Sequence, residues 1–427
     1  MITANRDMDT SNSKGKTAER APVSAWDVPP GKAEAWLTEV LRREVHAVSA
    51  TPLPACITLG VIQKLTVVLS VEEKLSKTTL VLKTESANPG ANVFAAKAKC
   101  YSTEHTFYTA LSRKCLSRVP KCFYSSISPE ATAATLLLQH ITPGTPGDTH
   151  EGLTLEQAQA AVVELAKFHA SYFDDEESIK LVKNATEHVS AFDSTAAIDA
   201  FMAVWGDALL PFVDESGNNA VKSVFEHCAA HAHNWKDLLQ VGIPSIVHGD
   251  YKGTNLILGE GGQSATILDF QTLYAGMKTG AVVFLRKSKI PMYSGGEVAR
   301  MDDLCYLLVG SMETVTRAAH EKALLKLYRD TFESALPAEK QYDFFPSEEE
   351  MMVYYKMATQ GMVYRCLNFN LILSGLSREA CREQLHSLVT RTTLAIIDHE
   401  LHKTLHVGRD AAEDNAEKSK DANFVGI

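Results

Sequence analysis

The sequence predicts an α+β protein of two lobes: a small antiparallel-sheet lobe over residues 25–142, then a larger, mainly helical lobe over 143–406. Three observations predict it. Short β-branched runs bounded by polar turns crowd the first third of the chain, ITLGVIQKLTVVLSV (57–71) and TTLVLKT (78–84) above all. A Pro/Gly-dense connector, TPGTPGD (142–148), marks a boundary. Beyond it apolar residues recur mostly at helical spacing, interrupted by one β island, IPSIVHGDYKGTNLIL followed by SATILDFQ.

Taken in order, residues 1–24 read as a solvated tail. Residues 33–46 place Trp36, Leu37, Val40, Leu41 and Val45 on one helical face. The two strands come next. KCYSTEHTFYTALSRK (99–114) returns to helical spacing, and TLLLQHI (135–141) is a strand. Thr154 with Gln157 forms a capping box opening a helix whose apolar positions run from Ala158 to Tyr172 and include His169, read as a satisfied core histidine. Helices are predicted at 185–206, 219–240, 301–335 and 347–404, the last opened by a second capping box at Ser347 and Glu350. Residues 407–427 form a polar tail.

Composition narrows the function. The 427 residues are 45% hydrophobic and 22% charged, enough for a sizeable core and unlike a disordered chain. The formal charge of −10 argues against a dedicated nucleic-acid or anionic-membrane binder. Small molecules and proteins remain as partners. The eight cysteines contain no C-x-x-C pair, so neither a zinc ribbon nor a redox motif is supported, and they read as small buried hydrophobes in a reducing compartment. No apolar run is long enough to span a bilayer and the N-terminal residues lack a secretory core, so a cytoplasmic location is expected.

The chemistry is concentrated in His248-Gly249-Asp250-Tyr251-Lys252-Gly253-Thr254-Asn255, followed by Asp269-Phe270-Gln271. Protein kinases carry H-R-D-x-x-x-x-N and then D-F-G. Here the His-x-Asp and the five-residue step to the Asn are both kept. Phosphoryl transfer needs a carboxylate beside the acceptor hydroxyl and oxygen ligands for a Mg²⁺ that bridges nucleotide phosphates. A tight loop can turn Asp250 towards the acceptor and Asn255 towards the metal. A hairpin through Gly259–Gly262 then returns Asp269 to the same ion. His-x-Asp alone is as readily a plain turn; the Asn step and the Asp-Phe hairpin single it out.

IVHGDYKGTNLIL with ILDFQ resembles the choline-kinase-like and aminoglycoside-phosphotransferase-like enzymes of protein-kinase-like fold. The DFQ ending most resembles the ecdysteroid-kinase-like branch. GLTLEQAQAAVVELAKFHASYF and SEEEMMVYYKMATQGMVY fit the same resemblance, which spans about residues 50–400. It implies an ATP- and Mg²⁺-dependent kinase that phosphorylates a hydroxyl of a small molecule, with Asp250 orienting or deprotonating that hydroxyl, His248 bracing the loop, and Asn255 and Asp269 holding Mg²⁺. It also implies that Lys83 touches the ATP phosphates and pairs with Glu104, and that adenine lies against the TLLLQHI strand. The residues allow a check: Tyr101, Glu104, Tyr108 and Leu111 share one helical face, and a carboxylate on so apolar a stripe needs a cation. The glycine-rich phosphate loop is reduced to Gly60.

Asp303-Leu304, which begins a helix soon after the Asp-Phe element in the family pattern, stands far downstream of Gln271. Residues 277–301, with Lys278, Arg286, Lys287, Lys289 and Arg300, read as an insertion: a substrate loop, a surface insertion or translated intron sequence. His227, His231 and His233 are read as partly exposed helical histidines, and His399, His402 and His406 as one polar face of the last helix. Two outcomes are compatible with these residues, an active small-molecule kinase and a nucleotide-binding pseudoenzyme or scaffold on the same fold.

Overall fold

The structure is a computed structural model, and it describes residues 32–53, 59–72, 74–185, 201–206, 219–230, 245–275, 297–340, 347–374 and 379–401. The first described element is α1 (Lys32–Leu41), followed by β1 (Val45–Pro52), β2 (Gly60–Val71) and β3 (Lys74–Glu85). Helix α2 (Pro89–Lys97) and helix α3 (Cys100–Thr106) follow, the latter ending in a π-helical turn at Phe107–Leu111. Strands β4 (Cys122–Ile127) and β5 (Ala134–Gln139) complete a five-stranded antiparallel sheet in the order β1-β2-β3-β5-β4.

The two-residue period of these strands decides what each face meets. Leu80 and Leu82 of β3 join Leu65, Val67 and Leu69 of β2 and Leu137 of β5 in a cluster capped by Leu37 of α1. Alternate residues go the other way. Lys83 stands opposite Leu136 in the β3–β5 ladder, and Leu136 and Leu138 pack into the core of the helical lobe. Lys83 thus lies on the face that looks across to the large lobe.

The large lobe begins as the connector joins it. β6 (Thr145–Pro146) pairs with β8 (Leu256–Leu258), itself a hairpin partner of β9 (Ala265–Ile267). β7 (Ile246–Val247) pairs with β10 (Tyr274–Ala275). Around these short ladders pack α4 (Leu155–Ser171), α5 (Glu176–Ala185), α6 (Ala220–Ala230), α7 (Glu297–Ser311), α8 (Thr314–Ala335), α9 (Glu348–Ser374) and α10 (Glu379–Asp398). This is the two-lobed, protein-kinase-like α+β fold that the motifs predict. No described helix is long and apolar enough to cross a membrane.

Both capping boxes form. Thr154 accepts from the Gln157 amide while the Gln157 side chain accepts from the Thr154 N–H, and Ser347 and Glu350 exchange the same pair of bonds. Several boundaries differ from the sequence pattern. The helix predicted to reach residue 46 ends at Leu41, and Val45 is the first residue of an edge strand, its side chain buried with Leu69 of β2. The helical stretch 301–335 is two helices, divided where the Glu313 carboxylate caps the N–H groups of Val315 and Thr316. Arg300 is part of α7, buried to 1% exposure, its guanidinium 5.0 Å from both the Phe173 and the Phe332 ring. His399, expected on a polar face, is buried and meets Thr359 and Glu321. The predicted tails, most of the 277–301 segment, and His231, His233, His402 and His406 lie outside the described residues.

Replacing Thr154 by Ala removes the cap acceptor of α4, which packs against α8 and β9. Urea unfolding followed by far-UV circular dichroism is expected to show a loss of about 1 kcal/mol, the usual worth of a Ser/Thr cap.

Candidate active site

Lys83 is the point where the two lobes meet chemically. Its Nζ lies 2.9 Å from Glu104 Oε1 and 2.8 Å from Oε2 on α3, and 2.8 Å from Asp269 Oδ1 at the end of the β8–β9 hairpin. Lys83 and Glu104 are buried, at 8% and 2% exposure. Burial alone would strip the lysine of its proton, but the two carboxylates outweigh it and hold its pKa above the ordinary value. Burial pushes Glu104 up to about 7, against the pull of Lys83. Asp269 is held below the usual carboxylate range: its burial is more than offset by Lys83 and, from further away, Lys252. Gly60 stands beside this cation. A Cβ there would fall 3.7 Å from the Lys83 Cγ and only 2.5 Å from the Thr84 carbonyl oxygen, so close packing of β2 on β3 already requires glycine at that position.

Asp269 adopts a left-handed backbone (φ 62°, ψ 71°), which costs free energy for a non-glycine residue. The next side chain holds it there. Phe270 is fully buried, stacked on Phe107 with centroids 3.5 Å apart and planes at 13°, edge-on to Tyr108, and 5.2 Å from the His248 ring. Phe107 belongs to the π-helical turn one turn beyond Glu104, a widening of the helix that often accompanies functional positions. One aromatic stack therefore fixes both acidic partners of Lys83.

The loop that carries Asp250 is clamped from behind by Asp303 of α7. Asp303 Oδ2 accepts the His248 N–H at 2.6 Å, and Oδ1 accepts the Gly249 N–H at 2.8 Å. His169 of α4 approaches the same Oδ2 at 3.1 Å through Nε2, and its Nδ1 lies 2.8 Å from the Tyr328 hydroxyl. His169 is fully buried, which lowers its pKa and favours a neutral ring donating to Asp303. Asp303, also fully buried, is held below its ordinary range because the His169 bond and the Arg365 guanidinium outweigh burial. His248 Nε2 lies 2.9 Å from the Leu268 carbonyl, and Nδ1 accepts the Asp250 N–H at 3.3 Å, so the imidazole bridges loop and hairpin.

Asp250 and Asn255 meet directly. Asn255 Nδ2 donates to the Asp250 carbonyl and to Asp250 Oδ2, both at 2.8 Å, and the Asn255 carbonyl accepts from the Leu268 N–H at 2.9 Å. Lys252 Nζ bonds both carboxylate oxygens of Asp250, at 2.9 and 2.8 Å. Two glycines make the loop possible. Gly249 has φ +81° with the Thr272 carbonyl 2.3 Å from where its Cβ would be, and a Cβ on Gly147 would lie 2.5 Å from the Gly253 oxygen.

Lys83, Glu104, Asp250, Asn255, Asp269 and His248 are thus drawn into one connected site, with Gly60 at its edge. Sequence reasoning gave no role to Asp303, noted only as a helix start, to His169 beyond core packing, or to Lys252, Arg365 and Tyr306. A buried Asp pair on an otherwise apolar helix, Asp302-Asp303, was the available signal. Among the described residues no three His, Cys, Asp or Glu side chains gather as a metal cluster. The donors present do fit Mg²⁺ shared with phosphates. With its nitrogen committed to two acceptors, Asn255 keeps Oδ1 without a hydrogen bond among the described residues, as Asp269 keeps Oδ2, and Mg²⁺ typically takes one or two protein oxygens beside phosphate and water.

The fold and this site define a two-lobed, kinase-like class of protein. Residues 59–279, over half the chain, match the model of the ecdysteroid kinase-like family, and the chain belongs to that family. No curated protein gave a match. Among solved structures, a Ralstonia eutropha protein described as a candidate aminoglycoside phosphotransferase aligns with TM-score 0.47 and 14% identity over 87% of this chain and 97% of that one. Aminoglycoside 2′-phosphotransferase-IIIa in its GDP complex aligns with TM-score 0.42 and 11% identity over 83% and 95% of the two chains. A Plasmodium vivax ethanolamine kinase aligns with TM-score 0.43 and 10% identity over 82% and 83%.

Replacing Asp303 by Asn puts an NH₂ where one of two backbone N–H groups, that of buried His248 or of half-buried Gly249, now finds an oxygen. The loss should be about 1–3 kcal/mol, seen as a lower thermal midpoint. Gly147→Ala should also lower it, by forcing the connector off the Asp250 loop.

Proposed function

We propose that the protein transfers the terminal phosphoryl group of ATP, with Mg²⁺, to a hydroxyl of a small molecule. The observation that carries this reading is the buried Lys83, held at once by Glu104 and Asp269. A charged ammonium kept in a low-dielectric site by two carboxylates from different lobes is a preorganised partner for phosphate oxygens. Family membership supports kinase chemistry in general, and the site supports the finer assignment.

Each side chain then has one task. Lys83 neutralises phosphate charge, and Glu104 keeps it aimed. Asn255 Oδ1 and Asp269 would hold Mg²⁺, which when bound withdraws charge from the phosphate oxygens. Asp250 receives the acceptor hydroxyl. A carboxylate offers about four lone-pair sites. Lys252 bonds both oxygens and Asn255 bonds Oδ2, and the Tyr306 hydroxyl also engages this carboxylate, so the acceptor hydroxyl seats beside Tyr306 on the part they leave open. A hydroxyl seated there has its proton directed at Asp250 and a lone pair available for in-line attack. The attacking oxygen gains the phosphoryl group, ADP leaves, and the proton passes to Asp250. His248 acts behind the loop, fixing the Asp250 backbone. The described cysteines are free and the co-substrate is ATP, which agrees with a cytoplasmic setting.

Purified protein with Mg²⁺ and γ-labelled ATP should transfer label to one or more members of a panel of sugar, sterol and amino alcohols. Asp250→Asn should reduce that transfer by at least ~10²-fold, in the range expected for loss of a general base, while Mg-ATP still raises the thermal midpoint. Lys83→Ala should weaken the nucleotide-induced shift as well. A nucleotide shift with no transfer to any acceptor would identify a pseudoenzyme, and equal transfer by Asp250→Asn would remove Asp250 from its role.

A further inference from the structure

We infer that Lys252 sets the charge class of the acceptor: this site takes an alcohol that is uncharged or anionic near its reacting oxygen, and Lys252 turns away alcohols bearing an ammonium there. The inference rests on the phosphotransferase reading above and deepens it.

Lys252 occupies the position an acceptor's ammonium would need. Its Nζ engages both oxygens of Asp250 and lies 5.9 Å from the ring centroids of both Tyr306 on α7 and Phe369 on α9. A carboxylate flanked by two aromatic rings is the usual chemistry for binding an ammonium group. Here the chain supplies that ammonium itself, tethered two residues from Asp250.

Two further carboxylates of the site, Asp302 and Asp269, also face cations of the chain. Asp302 of α7 pairs with Arg365 of α9 and accepts from the Tyr274 hydroxyl. The Arg365 guanidinium lies 4.1 Å from the Tyr306 ring centroid. Asp269 is engaged by Lys83. Of these three carboxylates, Asp250, Asp269 and Asp302, each has a cation from the chain. An incoming ammonium would meet Lys252 and Arg365 around the Tyr306 ring and no unpaired carboxylate among the three. A neutral hydroxyl can still hydrogen-bond the Asp250 carboxylate beside Lys252 and Tyr306.

Folding of the loop does not account for Lys252. The loop's backbone is held by Asp303, by Ser311 Oγ accepting from the Gly253 N–H at 2.9 Å, and by Asn255. The Lys252 side chain keeps 23% exposure, so it borders the space from which an acceptor approaches Asp250.

Choline and its neutral isostere 3,3-dimethylbutan-1-ol differ in charge and little in shape. Calorimetric titration of each into the full-length protein, with Mg²⁺ and a non-hydrolysable ATP analogue present, reads the preference directly. Wild type should bind the neutral isostere more tightly than choline. Lys252→Met and Lys252→Gln should reverse the order, choline gaining roughly tenfold or more as Asp250, Tyr306 and Phe369 become free to hold it. Wild type that binds choline better than the isostere overturns the inference, whether or not the variants fold. So does a variant with an unchanged melting curve that gains no choline affinity, and so does a wild type that binds neither compound while the folded variants also bind neither. Thermal stabilisation of wild type by Mg-ATP is read separately. Its absence would remove the phosphotransferase reading and leave the choline comparison standing as a fact about the Asp250 pocket.

Discussion

The arrangement depends on one buried cation. Lys83 comes from the sheet, Glu104 from the helix behind it, and Asp269 from a hairpin of the other lobe. An ammonium at this depth is costly unless paired, and two carboxylates so close would repel without it. Each of the three therefore makes the other two tolerable. The geometry follows: the pleat of β3 must turn Lys83 towards the large lobe, α3 must present Glu104 inward, and Asp269 must accept a left-handed backbone to reach the lysine. The aromatic stack of Phe107 on Phe270 gives that conformation its support through packing rather than charge.

A second layer holds the loop rather than the ligands. Asp303 is acceptor to two consecutive backbone N–H groups of the Asp250 loop and to His169, which in turn engages Tyr328. Asp303, His169, His248 and Tyr328 are buried and Gly249 partly so, so these hydrogen bonds have little competition from water, and a missing partner would leave a bare polar group in the core. Helices α4, α7 and α8 thus set the position of a loop that none of them contains. Arg365 of α9 adds a bond to the Gly249 carbonyl at 2.7 Å. The helical lobe acts as a rigid mount for a short turn, which is how a loop can carry chemistry that needs sub-ångström placement.

Much of this was legible in the sequence. The lobe order followed from the change of period from two to helical spacing across the Pro/Gly connector. The inward carboxylate at Glu104 followed from its place on an apolar stripe, and both capping boxes from local chemistry alone. What escaped is long-range. Nothing local marks Val45 as an edge-strand residue, because its partner Leu69 lies in the next strand. His399 falls in the last turns of a helix pattern that looks polar, yet Thr359 of α9 and Glu321 of α8 satisfy it in the core. Arg300 looks like a surface cation until Phe173 and Phe332 close over it. Each case is a polar or ambiguous residue whose partner is far away in sequence, and spacing arguments reach only as far as one element.

The same limit explains Lys252. In the sequence it is one letter inside a motif defined by its neighbours, and nothing about a lysine two positions after an aspartate says whether it points to solvent or folds back. The structure folds it back onto Asp250. That closes a pattern: Asp250, Asp269 and Asp302 each carry a cation of the chain. Paired carboxylates keep their hydrogen-bonding lone pairs but lose most of their long-range field. Carboxylates paired in this way keep acceptor positions for hydrogen bonds while their pull on approaching cations is weakened. On the proposed function, that leaves selection of the acceptor to shape and apolar contact around the Tyr306 and Phe369 rings rather than to charge.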